Sequence, residues 1–148
     1  MRLLLLLAML AFPAAFPAAL AAQGAARPPV TVYKNPWCGC CGGWVEHMRA
    51  NGFEVEAIDV EDMTPVKTAM SVPESLQSCH TAKIGSYTIE GHVPAADVLR
   101  LLQQAPEGVI GLSVPGMVAG SPGMGEGDTP YQVISFMADG SMRVYARY

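Results

Sequence analysis

The 148-residue chain is short of basic charge: 9 lysines and arginines stand against 13 acidic residues, a net charge of −4. That excludes the positive footprint a nucleic-acid partner requires. Internal repeats are missing, and no two carboxylates are placed as a pair for acid–base work. Glu46, Glu54, Glu56, Asp59, Glu61 and Asp62 are spread over a helix face, an alternating strand and its exit, where solvated surface is the expectation. Charge is almost absent from the first 22 residues, MRLLLLLAMLAFPAAFPAALAA, which hold Arg2 alone. A lone arginine is no polybasic membrane anchor. Pro13 and Pro17 interrupt an apolar run already shorter than the roughly 20 residues a spanning helix needs, and no lipid-attachment cysteine follows it. The pattern predicts a signal peptide over 1–21, with Leu3 to Phe12 as its apolar segment and Ala19-Leu20-Ala21 as a small-x-small cleavage site. Export to the periplasm follows, with no membrane association after cleavage. Removing Arg2 leaves 8 basic against 13 acidic residues, so the mature chain 22–148 carries −5. It is long enough for one core, which needs no disulfide merely to fold. The four cysteines are therefore free for chemistry.

What the mature chain does contain is a mixed α/β order. Val30 to Lys34 alternates as a strand, Gly42 to Asn51 carries Trp44, Val45 and Met48 at helical spacing, and Phe53 to Val60 alternates again. Asp62 caps a helix through Met70. Thr81 to Gly85 and Tyr87 to Glu90 flank a tight turn at Gly85-Ser86. Pro94 to Gln104 sets Val98, Leu101 and Leu102 on one helical face. From Ala105 to Pro130 the chain is rich in Gly, Pro and Met and is expected to be a long functional loop. Tyr131 to Phe136 and Met142 to Tyr145 close the chain as a hairpin.

Three cysteines lie in Trp37-Cys38-Gly39-Cys40-Cys41, between the first strand and the first helix. Cys38 and Cys41 form a Cys-X-X-Cys pair at a helix start, where unpaired amides stabilise a thiolate at Cys38 and Cys41 waits one turn inside as its resolving partner. These two are the candidate redox-catalytic residues. The string and the element order resemble thioredoxin, with two departures. Cys40 stands where thioredoxins usually place proline, and Ser78-Cys79-His80-Thr81 stands where that fold presents a cis-proline to the active site. On that alignment Cys38, Cys40, Cys41, Cys79 and His80 converge on one pocket. Soft donors at such density select Cu(I) best and Zn next, and paired-knuckle zinc spacing is absent. Met117 and Met124, each in Pro-Gly-Met, either cap the site with thioethers or fill gaps. His92 is either a ligand or a donor supporting one. His47, about 240° around the helix from Cys41, is expected at the surface. Trp37 is expected to shield the site and Trp44 to pack the core.

These motifs, with Val32-Tyr33-Lys34, Ile89-Glu90-Gly91-His92-Val93-Pro94 and the loop Val114 to Met124, resemble the CopG-type family. Its members are small exported thioredoxin-like proteins found with bacterial copper-resistance systems and catalogued as a domain of unknown function. The resemblance covers nearly the whole mature chain, with Val118 where proline is expected. It implies a thioredoxin-like domain, with a C-terminal extension from about 105, that binds copper and takes part in its redox handling. By position it implicates Cys38, Cys40, Cys41, Cys79 and His80, and more weakly His92, Met117 and Met124. A monomer is expected, its partners being copper ions and the efflux components or carriers that exchange them.

Overall fold

A computed structural model describes residues 27–148; the expected signal peptide over 1–21 lies outside the described residues. Eleven short elements follow one another: β1 (Val30–Lys34), α1 (Gly39–Ala50), β2 (Val55–Asp59), α2 (Thr64–Ala69), a 3-10 turn (Glu74–Leu76), β3 (His80–Ile84), β4 (Tyr87–Glu90), α3 (Ala95–Gln104), β5 (Val109–Ser113), β6 (Gln132–Met137) and β7 (Met142–Arg147). The strands form one mixed seven-stranded sheet in the order β2-β1-β3-β4-β5-β6-β7.

Local sequence explains most of these elements. In β1, Val30 and Val32 are fully buried while Thr31 and Tyr33 are partly exposed, the alternation a pleated strand imposes. Helix α1 buries Cys41, Trp44, Val45 and Met48, a single helical stripe. It starts at Gly39 rather than at the expected Gly42, so Cys40 and Cys41 belong to its first turn. Asp62 accepts the Thr64 amide at 2.9 Å at the head of α2. In α3, Val98 and Leu101 are fully buried, with Leu102 packed against the same core.

One expectation fails. The stretch from 105 is not irregular throughout: Val109–Ser113 is strand β5, parallel to β4 and antiparallel to β6. Its glycine hid it. A side chain at Gly111 would overlap the Phe136 ring and the Thr88 carbonyl, so the position must be empty for the strands to pair. The irregular loop is therefore shorter, running from 114 to 131.

Strand register gathers the chemistry at one end of the sheet. Lys34, the last residue of β1, pairs with His80, the first of β3. Thr81 pairs with Glu90, the last of β4, and Glu90 pairs with Ser113, the last of β5. The CGCC turn, the Cys79-His80 entry, the His92 turn and the loop after β5 thus all meet on that edge.

Candidate metal centre

Asn35 begins the turn that delivers the first cysteines. Its backbone carbonyl accepts the Cys38 amide at 3.0 Å and its side-chain oxygen accepts the Trp37 amide at 3.0 Å. Cys38 occupies the N-cap of α1 and is joined to Cys41 by a disulfide. Cys40 and Cys79 are free thiols. The Cys40 sulfur lies 3.4 Å from that of Cys38, and the sulfurs of Cys38, Cys40, Cys41 and Cys79 all lie within 4.8 Å of one another. A second group shares one member with the first: Cys79, His80 and His92 present ligand atoms within the same limit. Cys79 is the hinge between a sulfur cluster and an imidazole pair.

The imidazoles are held in the form that binds metals. Nδ1 of His92 donates to the Pro122 carbonyl at 2.7 Å, since a carbonyl only accepts, and this leaves the Nε2 lone pair facing the Cys79 sulfur at 3.0 Å. His80 is fully buried between Trp44 (ring centroids 4.6 Å apart) and His92 (5.0 Å). Its Nδ1 is 3.4 Å from the Cys79 sulfur, and its Nε2 has no hydrogen-bond partner among the described residues. Burial, then the charges of His92 and Lys67, hold His80 well below the ordinary imidazole range. Burial also lowers His92, opposed by the Pro122 carbonyl. Burial first, and then the neighbouring Cys40, push the Cys79 thiol up to about 11. A thiol whose ionisation is opposed by burial and by a neighbouring sulfur needs a cation if it is to be anionic. Soft sulfur, neutral imidazole and an orphaned buried ring nitrogen together fit a soft metal ion.

The loop after β5 covers this edge through its backbone. Gly116 is gripped by the 78 region: its amide donates to the Gln77 carbonyl at 3.2 Å and its carbonyl accepts the Ser78 hydroxyl. Farther on, Pro122 meets His92, and Gly123 lies so close to the first turn of α1 that a Cβ would fall 2.7 Å from the Gly43 carbonyl carbon and 2.9 Å from the Cys40 oxygen. Met117 is 63% exposed and Met124 half-buried.

Two surroundings differ from expectation, those of Trp37 and His47. Trp37 is 88% exposed and shields nothing, because the turn before α1 carries it outward. Trp44 does pack the core, fully buried and donating from its ring nitrogen to the Val93 carbonyl at 2.8 Å. His47 is not a solvated surface residue: it is half-buried, and its Nε2 accepts the Ala95 amide at the head of α3 at 3.0 Å. Glu90 and Lys67, which sequence reasoning missed, form a buried ion pair of 2.5 Å directly behind Cys79 and His80. The carboxylates expected at the surface are all exposed.

All three histidines sit below their ordinary value of 6.5, mainly through burial. The unfolded chain therefore binds more protons than the fold below that value, and stability present above it is lost on acidification. A buried histidine kept fully neutral contributes a slope of at most about 1.4 kcal/mol per pH unit below that value, and half-buried His47, screened by solvent, contributes less. In metal-free protein, urea midpoints should change little from pH 7.5 to about 6.5 and fall from there to pH 5; a midpoint that holds or rises below about 6.5 would refute neutral burial.

Comparison with known proteins follows the same residues. Positions 76–124 match a family model described as a protein of unknown function, DUF411; this segment carries Cys79, His80, His92, Met117 and Met124. Among solved structures the chain is similar to two described as copper resistance protein CopG, form 2 and form 1. They share 43% and 44% identity with it, at TM-scores of 0.77 and 0.76, over 82% of this chain and 98% of each of theirs. Comparison with curated proteins returns no match.

Proposed function

Because the chain belongs to the CopG family of copper resistance proteins, we propose that it holds Cu(I) as cargo in the periplasm, in a cysteine-bridged multinuclear site, and interconverts Cu(I) and Cu(II) there. The observation that carries this reading is the meeting of four sulfurs within 4.8 Å, one of them shared with two imidazoles. Four thiolates packed this closely cannot each serve a separate ion. Sharing each sulfur between two cations neutralises its charge more fully than terminal binding does. A thioredoxin-like ancestry of the β1–α3 segment is supported by its sheet order β2-β1-β3-β4 and by the Cys38–Cys41 pair at the start of α1.

The redox part rests on electron counting. Reducing the Cys38–Cys41 disulfide takes two electrons, the number released when two Cu(I) ions become Cu(II), so sulfur and copper can exchange electrons in matched amounts. In the oxidised form only Cys40 and Cys79 remain as thiols, and reduction restores the other two donors. The exposed thioether of Met117 is suited to first contact with arriving Cu(I), with Met124 behind it in the same loop. The chain acts as a monomer that trades copper with efflux components or other carriers.

Cys38 and Cys41 alone would suffice for a thiol–disulfide oxidoreductase, and the disulfide between them favours that rival. Cys40→Ser separates the two readings. It leaves the disulfide pair intact and removes one bridging sulfur, so copper per chain after anaerobic loading, measured by elemental analysis, should fall. Unchanged stoichiometry would overturn the cluster. Turnover is tested by mixing loaded protein with excess Cu(II) and glutathione. Cu(I) appearing no faster than with glutathione alone would leave a store or chaperone.

A further inference from the structure

The Lys67–Glu90 pair lies outside every donor group of the site, yet the side-chain hydrogen bonds it makes beyond itself run to the segment that carries Cys79 and His80. Glu90 is fully buried and Lys67 is 6% exposed. One carboxylate oxygen of Glu90 accepts the Lys67 ammonium at 2.5 Å and the Ser78 amide at 2.6 Å; the other accepts the Thr81 hydroxyl at 2.6 Å. Lys67 also donates to that hydroxyl at 3.1 Å. Ser78 and Thr81 are the residues on either side of Cys79-His80. A single side chain on the neighbouring strand therefore fastens both ends of the four-residue segment.

The backbone beside Glu90 tightens the same grip. The Gly91 amide donates to the His80 carbonyl at 2.9 Å, and a Cβ at Gly91 would fall 2.5 Å from the Ser78 side chain. Stability is a poor reason for such a pair. Desolvating two charges costs so much that well-packed apolar residues in their place are often as stable or more so. What apolar residues cannot do is accept the Ser78 amide and the Thr81 hydroxyl. The carboxylate fixes a position, and the ammonium keeps that carboxylate neutralised while it does so.

We propose that Glu90, with Lys67 as its counter-charge, is a positioning residue that holds Cys79 and His80 opposite the CGCC turn. The copper arm of the test rests on the function proposed above; the thiol arm does not. In metal-free protein with the Cys38–Cys41 disulfide in place, Cys40 and Cys79 are the two free thiols, so Cys40 serves as an internal control. Glu90→Asp keeps the charge pair and therefore the fold, and withdraws the carboxylate by one methylene. Alkylation of Cys79 by iodoacetamide, followed by peptide mass spectrometry, should then accelerate about tenfold while Cys40 changes by less than about twofold. Lys67→Met/Glu90→Leu, which removes both charges, should behave in the same way. Lys67→Met/Glu90→Gln, which restores one acceptor, should recover part of the protection.

A Cys79 rate equal to the parent's in Glu90→Asp would overturn the proposal. An equal acceleration at both thiols would overturn it too, since that reports general loosening. If Glu90→Asp does not fold, the pair is structural and the proposal fails. Cu(I) affinity, read by competition with a chromophoric chelator, should fall about tenfold or more in Glu90→Asp. Should the parent bind no copper, that arm rejects the copper reading and leaves the thiol result to judge the positioning role.

Discussion

Cys79→Ser should remove more Cu(I) affinity than loss of any other single sulfur, because Cys79 alone belongs to both donor groups. Cys40→Ser thins the four-sulfur group and leaves Cys79, His80 and His92 as they are. Cys79→Ser takes the sulfur from both at once: its partners are the Cys40 side of the cluster, His92 Nε2 at 3.0 Å and His80 Nδ1 at 3.4 Å. A serine hydroxyl is harder and shorter than a thiolate, and it stays protonated near neutral pH. Replacing a group that merely supports a ligand costs about 10–100-fold in metal affinity. Loss of the shared ligand should exceed about a hundredfold on that scale. Competition against a chromophoric Cu(I) chelator measures it, with the thermal midpoint showing that the variant is folded. If Cys79→Ser retains the parent's affinity, the CGCC turn binds the metal by itself and the convergence of the two stretches is incidental.

That convergence could be read from the sequence only in outline. The CGCC turn was legible because a strand of alternating valines precedes it and a helical stripe of Trp44, Val45 and Met48 follows it. Cys79-His80 opposite that turn needed the added assumption that β3 enters beside the exit of β1, which the Lys34 to His80 register satisfies. Which cysteines pair was not legible: four cysteines allow three full pairings, and the fold closes one bond and leaves Cys40 and Cys79 free. Strand β5 was hidden by Gly111, whose meaning lies in the Phe136 ring and Thr88 carbonyl pressed against it from other strands. His47 looks solvated from the periodicity of α1 alone, whereas α3 docks its first amide there. Glu90 and Lys67 are 23 residues apart on different elements, a separation that leaves no local pattern.

The loop seat gives the second large effect. Gly123 has φ +86°, and a side chain there would overlap the Trp44 amide nitrogen and the Gly43 carbonyl carbon. Gly123→Ala therefore meets two penalties: the left-handed backbone, at about 1–2 kcal/mol, and a clash with the rigid first turn of α1, which cannot yield without moving Cys40 and Cys41. The loop must lift instead. Lifting it withdraws the Pro122 carbonyl from His92, whose ring then loses the bond that fixes its tautomer and aims Nε2 at Cys79. Gly125 separates the two penalties, because it has φ +83° and a Cβ added there would meet nothing within 4 Å. Gly125→Ala should cost only the backbone penalty of about 1–2 kcal/mol and leave Cu(I) affinity unchanged. Gly123→Ala should cost at least about 3 kcal/mol in urea unfolding and lower Cu(I) affinity by about 10–100-fold. Gly43→Ala approaches the same seat from the helix side, where its Cβ would fall 2.9 Å from the Gly123 oxygen without a left-handed backbone of its own. It should reproduce the loss of affinity with a smaller loss of stability. Equal affinity in Gly123→Ala and Gly125→Ala would mean that the loop's contact with α1 has no part in aiming His92, and that the imidazole is held by β4 and its turn alone.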